Sequence, residues 1–272
     1  MSNTGSTKHH DSDDDDARGA RFDADRALVL AVDTATDARS VCVARGRETL
    51  ALVKEGETKA GASVVLSVID EALRNAGVEF AALELFAVAR GPGSFTGIRA
   101  GLATVKAFAA MSGRLVAPVP TLHAVALAAG PSSRTVAAIP AGRGEVFTQL
   151  LEVAAGGFVR ELGEPAHVSP ATLAQAATGW GRSLKWAGGG AWAHRELIAE
   201  VAARAGREWV ELSDATPPSF GEAQSVWSLA PKAESYGEQI ARLGLIRSGE
   251  GGAVRADEVR AQYVRPSDAE LK

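Results

Sequence analysis

The chain has 272 residues, of which 46% are hydrophobic and 23% are charged, a balance typical of a globular protein that buries its own core. The formal net charge is −4, and residues 1–26 account for most of it, with four basic and seven acidic side chains. These values exclude the strongly basic surface of a protein that binds nucleic acid unaided, and no apolar run reaches the ~18 residues needed to span a membrane.

The segment 1–26 consists mainly of Ser, Gly, His and Asp and contains almost no apolar side chain. Such a segment cannot offset the entropy cost of becoming ordered, so we predict a disordered acidic tail. The start of the chain has no apolar signal core, and the single cysteine, Cys42, lies in an apolar strand pattern. We therefore expect a cytoplasmic protein without a disulfide and with a buried, unreactive thiol.

Residues 27–132 alternate between strand and helix patterns. The predicted strands are 27–35, 40–44, 49–53, 83–89 and 115–119, with a hairpin turn at 45–47. The predicted helices are 61–76, 98–111 and 121–129, the last capped by Thr121. This series predicts one mixed α/β lobe.

Residues 133–265 repeat the mixed pattern and predict a second α/β lobe. The predicted strands are 135–139, 145–153, 157–161, 184–187 and 209–212. The predicted helices are a short one starting at Pro170, a second at 192–205, and a third at 222–247 that is broken at Pro231. The two lobes meet near 131–135, where Gly, Pro and Ser cluster, and we expect a flexible tail at 266–272.

The helices predicted at 61–76 and 98–111 are apolar over a wider arc than one buried face requires. In the first helix the polar residues form one narrow stripe, and in the second only Arg99, Thr104 and Lys106 are clearly polar. Exposed apolar area of this extent is typical of a protein interface. The candidate partner-binding residues are Val64, Val65, Val68, Ile69, Leu102, Val105 and Phe108.

A glycine-rich stretch separates the strand at 83–89 from the helix at 98–111, a geometry that can direct backbone N–H groups at an anion. Walker A would require Lys and then Ser or Thr after Gly97, and the Rossmann fingerprint would require a glycine three residues after Gly93 rather than four. The spacing alone favours a tight turn and leaves a nucleotide-binding role open. The residues of this signature loop are Gly91, Gly93, Ser94, Thr96, Gly97 and Arg99.

Side chains for metal or covalent chemistry are sparse. The five histidines contain no pair at the four-residue spacing that places two ligands on one helix face. Ser94 does not lie in a G-x-S-x-G elbow. We therefore predict no metal site and no catalytic residue, which counts against a peptidase.

As a string, the segment from Arg90 to Lys106 closely resembles the signature of the bacterial TsaB (YeaZ) family. The segments 30–36, 137–147 and 261–265 are also similar to motifs of that family, so the resemblance covers about 28–265. It implies two ribonuclease-H-like lobes of the actin, hexokinase and Hsp70 superfamily, each with a mixed sheet. The chain departs from the family pattern at Pro140, where an acidic residue is usual, and at Gly61, where a histidine is usual.

Asp33 and Thr34 occupy the position where ATPases and sugar kinases of this superfamily place a metal-binding Asp and a phosphate loop. Here the loop contains Ala35 and Thr36 instead of glycine. We predict that Asp33 accepts hydrogen bonds from the amides of its own turn. A phosphate-loop remnant at Asp33 and Thr34 stays an alternative.

The resemblance implies a non-catalytic subunit that supports a TsaD-type transferase in forming N6-threonylcarbamoyladenosine next to the anticodon of tRNA, with a TsaE-like ATPase as a further partner. It implies that tRNA is reached only through the complex. It also implies that the two apolar helices form a bundle with the matching pair of TsaD or of a second copy, so that the isolated chain is a homodimer. No cofactor of its own is expected, and a nucleotide at the TsaD interface is left open.

The alternative function is a superfamily ATPase or small-molecule kinase that uses the Asp33 turn and the 91–97 loop. The missing glycine after Asp33 argues against it.

Overall fold

The computed structural model describes residues 23–54, 62–213 and 225–264, except for the side chains of Ala62 and Ser63. Most of the predicted N-terminal tail and all of the predicted C-terminal tail lie outside these residues. Residues 23–26 form a turn, in which the N–H groups of Arg26 and Ala27 donate to the carbonyl of Asp23 at 3.1 and 2.9 Å. The described fold therefore begins before the predicted tail boundary at residue 26.

The elements follow the predicted alternation of strands and helices. The strands are β1 (Leu28–Asp33), β2 (Ser40–Arg45), β3 (Glu48–Lys54), β4 (Leu85–Ala89), β5 (Leu115–Val119), β6 (Ser132–Gly142), β7 (Glu145–Val153), β8 (Val159–Glu161), β9 (Ala166–Val168), β10 (Leu184–Ala187), β11 (Glu208–Glu211) and β12 (Val226–Leu229). The helices are α1 (Ala62–Ala76), α2 (Phe95–Ser112), α3 (Thr121–Ala128), α4 (Pro170–Ala177), α5 (Gly189–Ala193), α6 (Arg195–Arg204) and α7 (Gly237–Gly249).

The first sheet has the strand order β3-β2-β1-β4-β5, with β1 antiparallel to β2 and parallel to β4. Phe86 of β4 contacts Phe108 of α2, with ring centroids 6.2 Å apart, whereas the next residue, Ala87, lies against Gly244 of α7. Because successive side chains of a strand point to opposite faces, α2 and α7 cover opposite faces of the sheet. Helix α1 packs beside α2. The central strands, covered on both faces, are continuous apolar runs for this reason.

The second sheet has the order β11-β12-β10-β6-β7-β8, and β9 also pairs with β7. In both sheets the first strand of the series is central, with two antiparallel strands on one side and parallel strands on the other. The two predicted mixed α/β lobes are thus confirmed. Helix α7 comes from the second series but packs on the first sheet. The division of the chain into lobes at residue 132 stays a prediction.

Two predicted elements of the second half are wrong. The helix at 222–247 begins only at Gly237, and the residues before it include strand β12, which lies between β10 and β11. Trp227 of this strand packs on Trp186 of β10, with ring centroids 5.3 Å apart. A four-residue stretch such as β12 cannot be assigned to strand or helix by periodicity, and its pairing with β10 and β11 determines its conformation. The predicted helix at 192–205 is two helices that meet at His194.

The predicted burial of Cys42 is confirmed. Its side chain lies inside the first lobe, and burial raises the pKa of the thiol to about 12. Within 23–54, 62–213 and 225–264, no helix combines the length and apolar character needed to cross a membrane.

Candidate functional site

The turn after β1 is closed by hydrogen bonds to Asp33. Its Oδ1 accepts from the N–H groups of Ala35 and Thr36 at 2.9 and 3.3 Å, and its Oδ2 accepts from Oγ1 of Thr36 at 2.6 Å. The carboxyl group is buried, with 1% of Asp33 exposed. Both oxygens therefore serve the turn itself, which is the arrangement predicted for an Asp that follows a strand.

The signature loop packs against this turn. The N–H of Ser94 donates to the carbonyl of Ala35 at 2.8 Å, and Oγ1 of Thr34 donates to the carbonyl of Gly97 at 2.7 Å. Ser94 also caps α2, since its Oγ accepts from the N–H of Gly97 at 3.2 Å. Helix α2 begins three residues earlier than predicted because of this cap.

Three positions of the loop must be glycine because neighbouring backbone atoms leave no space for a Cβ. A Cβ on Gly93 would overlap the carbonyl oxygen of Ala35, one on Gly97 would overlap that of Thr34, and one on Gly91 would overlap that of Gln262. The Gly91–Pro92 peptide bond is cis. The glycines thus allow two chain segments to approach the loop closely, which is a structural use of the motif.

The closing segment of the sequence meets the signature loop. The N–H of Gln262 donates to the carbonyl of Arg90 at 2.7 Å, and the ring of Tyr263 lies 5.4 Å from that of Phe95. The guanidinium group of Arg99 stacks on Phe95, 3.9 Å from its centroid. Ser94, Thr96 and Arg99 are exposed, so the loop presents a polar and aromatic edge at the start of α2.

The predicted cap on α3 has another role. Thr121 begins that helix, Pro120 is at the cap position, and Oγ1 of Thr121 accepts from the N–H of Gly91 at 3.2 Å. The side chain therefore fixes the start of the signature loop instead of the helix end.

The candidate partner-binding residues divide into two groups. Val65, Ile69, Leu102 and Val105 are buried against the first sheet. These four side chains lie inside the folded lobe, and their role in partner binding stays a prediction. Val64, Val68 and Phe108 are partly buried, and Phe108 packs between Phe80 and Phe86. Their role in partner binding stays a prediction.

The outward face of the helix pair, which we call the α1–α2 face, carries different apolar residues. Leu66 of α1 is 48% exposed and Met111 of α2 is 80% exposed. Ala103 and Ala107 are exposed at the positions eight and four residues before Met111, so α2 presents small side chains followed by a large one. Helical spacing places Leu66 on the same stripe of α1 as its polar residues. That position was the sequence signal that Leu66 is exposed.

Groups suited to metal or nucleotide chemistry are few in the described chain. No cluster of three His, Cys, Asp or Glu side chains there could hold a metal ion. His123 pairs with Glu161 at 3.0 Å, and His167 pairs with Glu145 at 2.9 Å. His9 and His10 lie outside the described residues.

A cleft of about 370 Å³ lies beyond the Asp33 turn. Its lining is Asp37, Ala38, Gly189, Lys232, Ala233, Glu234 and Tyr236. The volume is at the lower limit of small-molecule sites. Asp33 is not part of this lining.

Stability is expected to depend on pH through Asp33. Burial raises the pKa of this carboxyl to about 6, and the hydrogen bonds from Thr36 and Ala35 offset only part of the shift. The folded state therefore binds more protons between about pH 4 and pH 6, so the free energy of unfolding decreases as the pH rises through that window. A shift of about two units corresponds to about 3 kcal/mol.

The matched variant is Asp33→Asn, which keeps an oxygen for the turn amides and does not titrate. Urea unfolding of both proteins from pH 4 to pH 7 should show a decrease of about 3 kcal/mol in the wild type relative to the variant. Parallel pH curves would show that the pKa of Asp33 is not raised.

Comparison with known proteins places this fold. The family model described as "TsaD: tRNA N6-adenosine threonylcarbamoyltransferase" matches residues 57–196. The tRNA threonylcarbamoyladenosine biosynthesis protein TsaB of Haemophilus influenzae is 37% identical over 123 residues, which are 44% of this chain and 51% of that protein. The Escherichia coli K12 protein of the same name is 32% identical over 130 residues, 44% of this chain and 52% of that protein. The chain thus spans about half the length of the curated relatives it matches.

Two solved structures are similar to this chain over most of its length. YeaZ from Pseudomonas aeruginosa superposes with a TM-score of 0.62 at 24% identity, over 87% of this chain and 99% of that chain. A second structure, described as an uncharacterized protein with similarity to peptidase YEAZ from Pseudomonas aeruginosa, gives a TM-score of 0.64 at 26% identity, over 88% and 100%.

Proposed function

This chain belongs to the TsaB family, within the group that the TsaD model describes, and from this premise we propose that it is a non-catalytic subunit of a threonylcarbamoyladenosine-forming complex. In this proposal it binds a TsaD-type transferase that modifies the adenosine next to the anticodon of tRNA. A TsaE-like ATPase is a further partner, and tRNA is contacted only through the complex.

The α1–α2 face is the observation that carries the proposal. Leu66 and Met111 are large apolar side chains that are exposed on this face, and the small residues of α2 allow another helix to approach closely. The buried residues of the same helices anchor them to the sheet, so the face is rigid before a partner binds. In isolation the same face would join two copies of the chain, so the homodimer and the complex with TsaD would compete for it.

The signature loop contributes the edge of this surface. Its glycines leave room for the carbonyl groups of Ala35, Thr34 and Gln262, which pack directly against them. The exposed side chains of Thr96 and Arg99 lie at the start of α2. We assign the loop a positioning role, in which it sets the direction of α2 on the sheet. A nucleotide at the TsaD interface is compatible with this role.

The test is co-purification with the TsaD-type protein of the same organism, followed by measurement of modified adenosine in tRNA. We expect a stable complex, and we expect modification to require this chain in addition to the transferase. A transferase that is equally active without it, and that does not bind it, would contradict the proposal.

The alternative, an ATPase or small-molecule kinase, has less support. Both carboxylate oxygens of Asp33 are engaged by its own turn, and Ala35 and Thr36 direct their amides at Asp33 and not at a ligand. We therefore expect no steady ATP turnover by the isolated chain with Mg²⁺, measured as phosphate release. Turnover that disappears in Asp33→Asn would favour the kinase.

A further inference from the structure

Two arginines of the described residues, one directly after β4 and one in α7, have side chains without a hydrogen-bond partner there. Arg90 is the residue before the signature loop, and Arg247 lies near the end of α7. Both residues are partly buried, and the Nε of each is buried with no hydrogen-bond partner. Across the described ranges, neither guanidinium group makes a hydrogen bond or an ion pair.

Three more polar side chains complete this group, which we call the arginine cluster. His123 of α3 and Glu161 of β8 pair at 3.0 Å, and Gln262 lies in the closing segment, where its own N–H donates to the Arg90 carbonyl. The Oε1 of Gln262 is buried without a partner. The cluster thus combines residues of five chain segments, and three of them leave buried polar atoms unpaired.

The charges in the cluster are unbalanced. Burial lowers the pKa of Arg90, and the nearby charge of Arg247 lowers it further. Burial also lowers the pKa of His123; Glu161 opposes this shift, and both arginines add to it. Glu161 is the one carboxylate that acts on both Arg90 and His123, its side chain is 49% exposed, and it is already bonded to His123.

Partly buried cations that repel each other cost free energy, and a bound counter-charge lowers that cost. Guanidinium groups pair well with the oxygens of phosphate, because their N–H donors form a fork that matches its geometry. The other polar groups of the cluster have no capacity to neutralise both arginines.

We propose that Arg90 and Arg247 bind a phosphate-type oxyanion between the signature loop and α7. The anion is either free phosphate or the phosphate group of a nucleotide. This site is distinct from the α1–α2 face, because α7 covers the opposite side of the first sheet from α2.

The test is thermal unfolding of the full chain in sodium phosphate and in sodium chloride of equal ionic strength. A ligand that binds only the folded state raises the melting temperature as its concentration passes the dissociation constant. We expect phosphate to raise the melting temperature of the wild type above its value in chloride. Arg247→Gln should remove this difference.

Arg242→Gln is the matched control, since it removes the same charge from the same helix. The Arg242 guanidinium already donates to the Gly156 carbonyl at 2.9 Å. This variant should keep the full response to phosphate. In phosphate-free buffer, Arg247→Gln should be at least as stable as the wild type because a repulsion is relieved, whereas loss of a merely structural arginine would lower the melting temperature.

Two further measurements on the wild-type protein identify the source of the anion. They keep the proposal testable even if a variant does not fold. ATP without Mg²⁺ should produce the shift at lower concentration than phosphate if the ligand is a nucleotide, and at equal or higher concentration if it is free phosphate. The ³¹P resonance of phosphate should broaden with the wild type and sharpen when sulfate is added. An equal melting temperature of the wild type in phosphate and chloride, or an equal phosphate response of Arg247→Gln and Arg242→Gln, would overturn the proposal.

Discussion

Gly97→Ala is expected to destabilise the protein by about 3 kcal/mol or more, because the added atom meets backbone that cannot move aside. The new Cβ would lie 2.9 Å from the carbonyl carbon of Thr34 and would overlap its oxygen. The clash would separate the Asp33 turn from the signature loop and break the bond from Thr34 to the Gly97 carbonyl. Chemical denaturation measured by circular dichroism gives the change in unfolding free energy.

Gly249→Ala is the control for helix propensity. Gly249 also lies in a helix, at the end of α7, and a Cβ there would meet no atom within 4 Å. Alanine alone favours the helix by up to about 1 kcal/mol, so this variant should be neutral or slightly more stable. Similar stabilities of the two variants would show that Gly97 of the signature loop does not pack against the Asp33 turn as described.

The sequence was sufficient for the architecture because the central strands are continuous apolar runs bounded by turn residues. β7 and β10 have the predicted ends, and the turn role of Asp33 follows from a short polar residue after a strand. Strand β12 could not be predicted, since its four residues gain their conformation from pairing with β10 and β11. The sequence of the strand itself does not show which strands it will pair with.

The direction in which helix residues point was only partly predictable. Both helices are apolar nearly all round, so hydrophobicity alone cannot distinguish Val105, which is fully buried, from the exposed Met111. Packing of the helix against the sheet determines which of the two side chains is buried. The arginine cluster was beyond sequence reasoning for a similar reason, because Arg90 and Arg247 are far apart in the chain and their charges act on each other only when α7 packs back onto the first sheet.

Charge placed on the α1–α2 face should abolish association while leaving the fold intact. Leu66→Glu and Ala107→Glu alter exposed positions, so the variants should unfold at the wild-type temperature. In a complex the new carboxylate would be buried without a partner, at a cost of several kcal/mol. We expect binding to a TsaD-type protein, and self-association, to weaken by about 100-fold or more, since each 1.4 kcal/mol changes the dissociation constant tenfold.

Two comparison variants separate an interface effect from unfolding. Val105→Glu places the charge in the core and should destabilise the isolated chain before any partner is added. Phe158→Glu changes an exposed apolar residue, 54% accessible, on the β7–β8 turn of the second sheet, so fold and binding should both persist. Sizing, pull-down and circular dichroism measure all four variants. If Leu66→Glu and Ala107→Glu are folded and still bind the transferase as tightly as Phe158→Glu does, the partner binds elsewhere on the molecule.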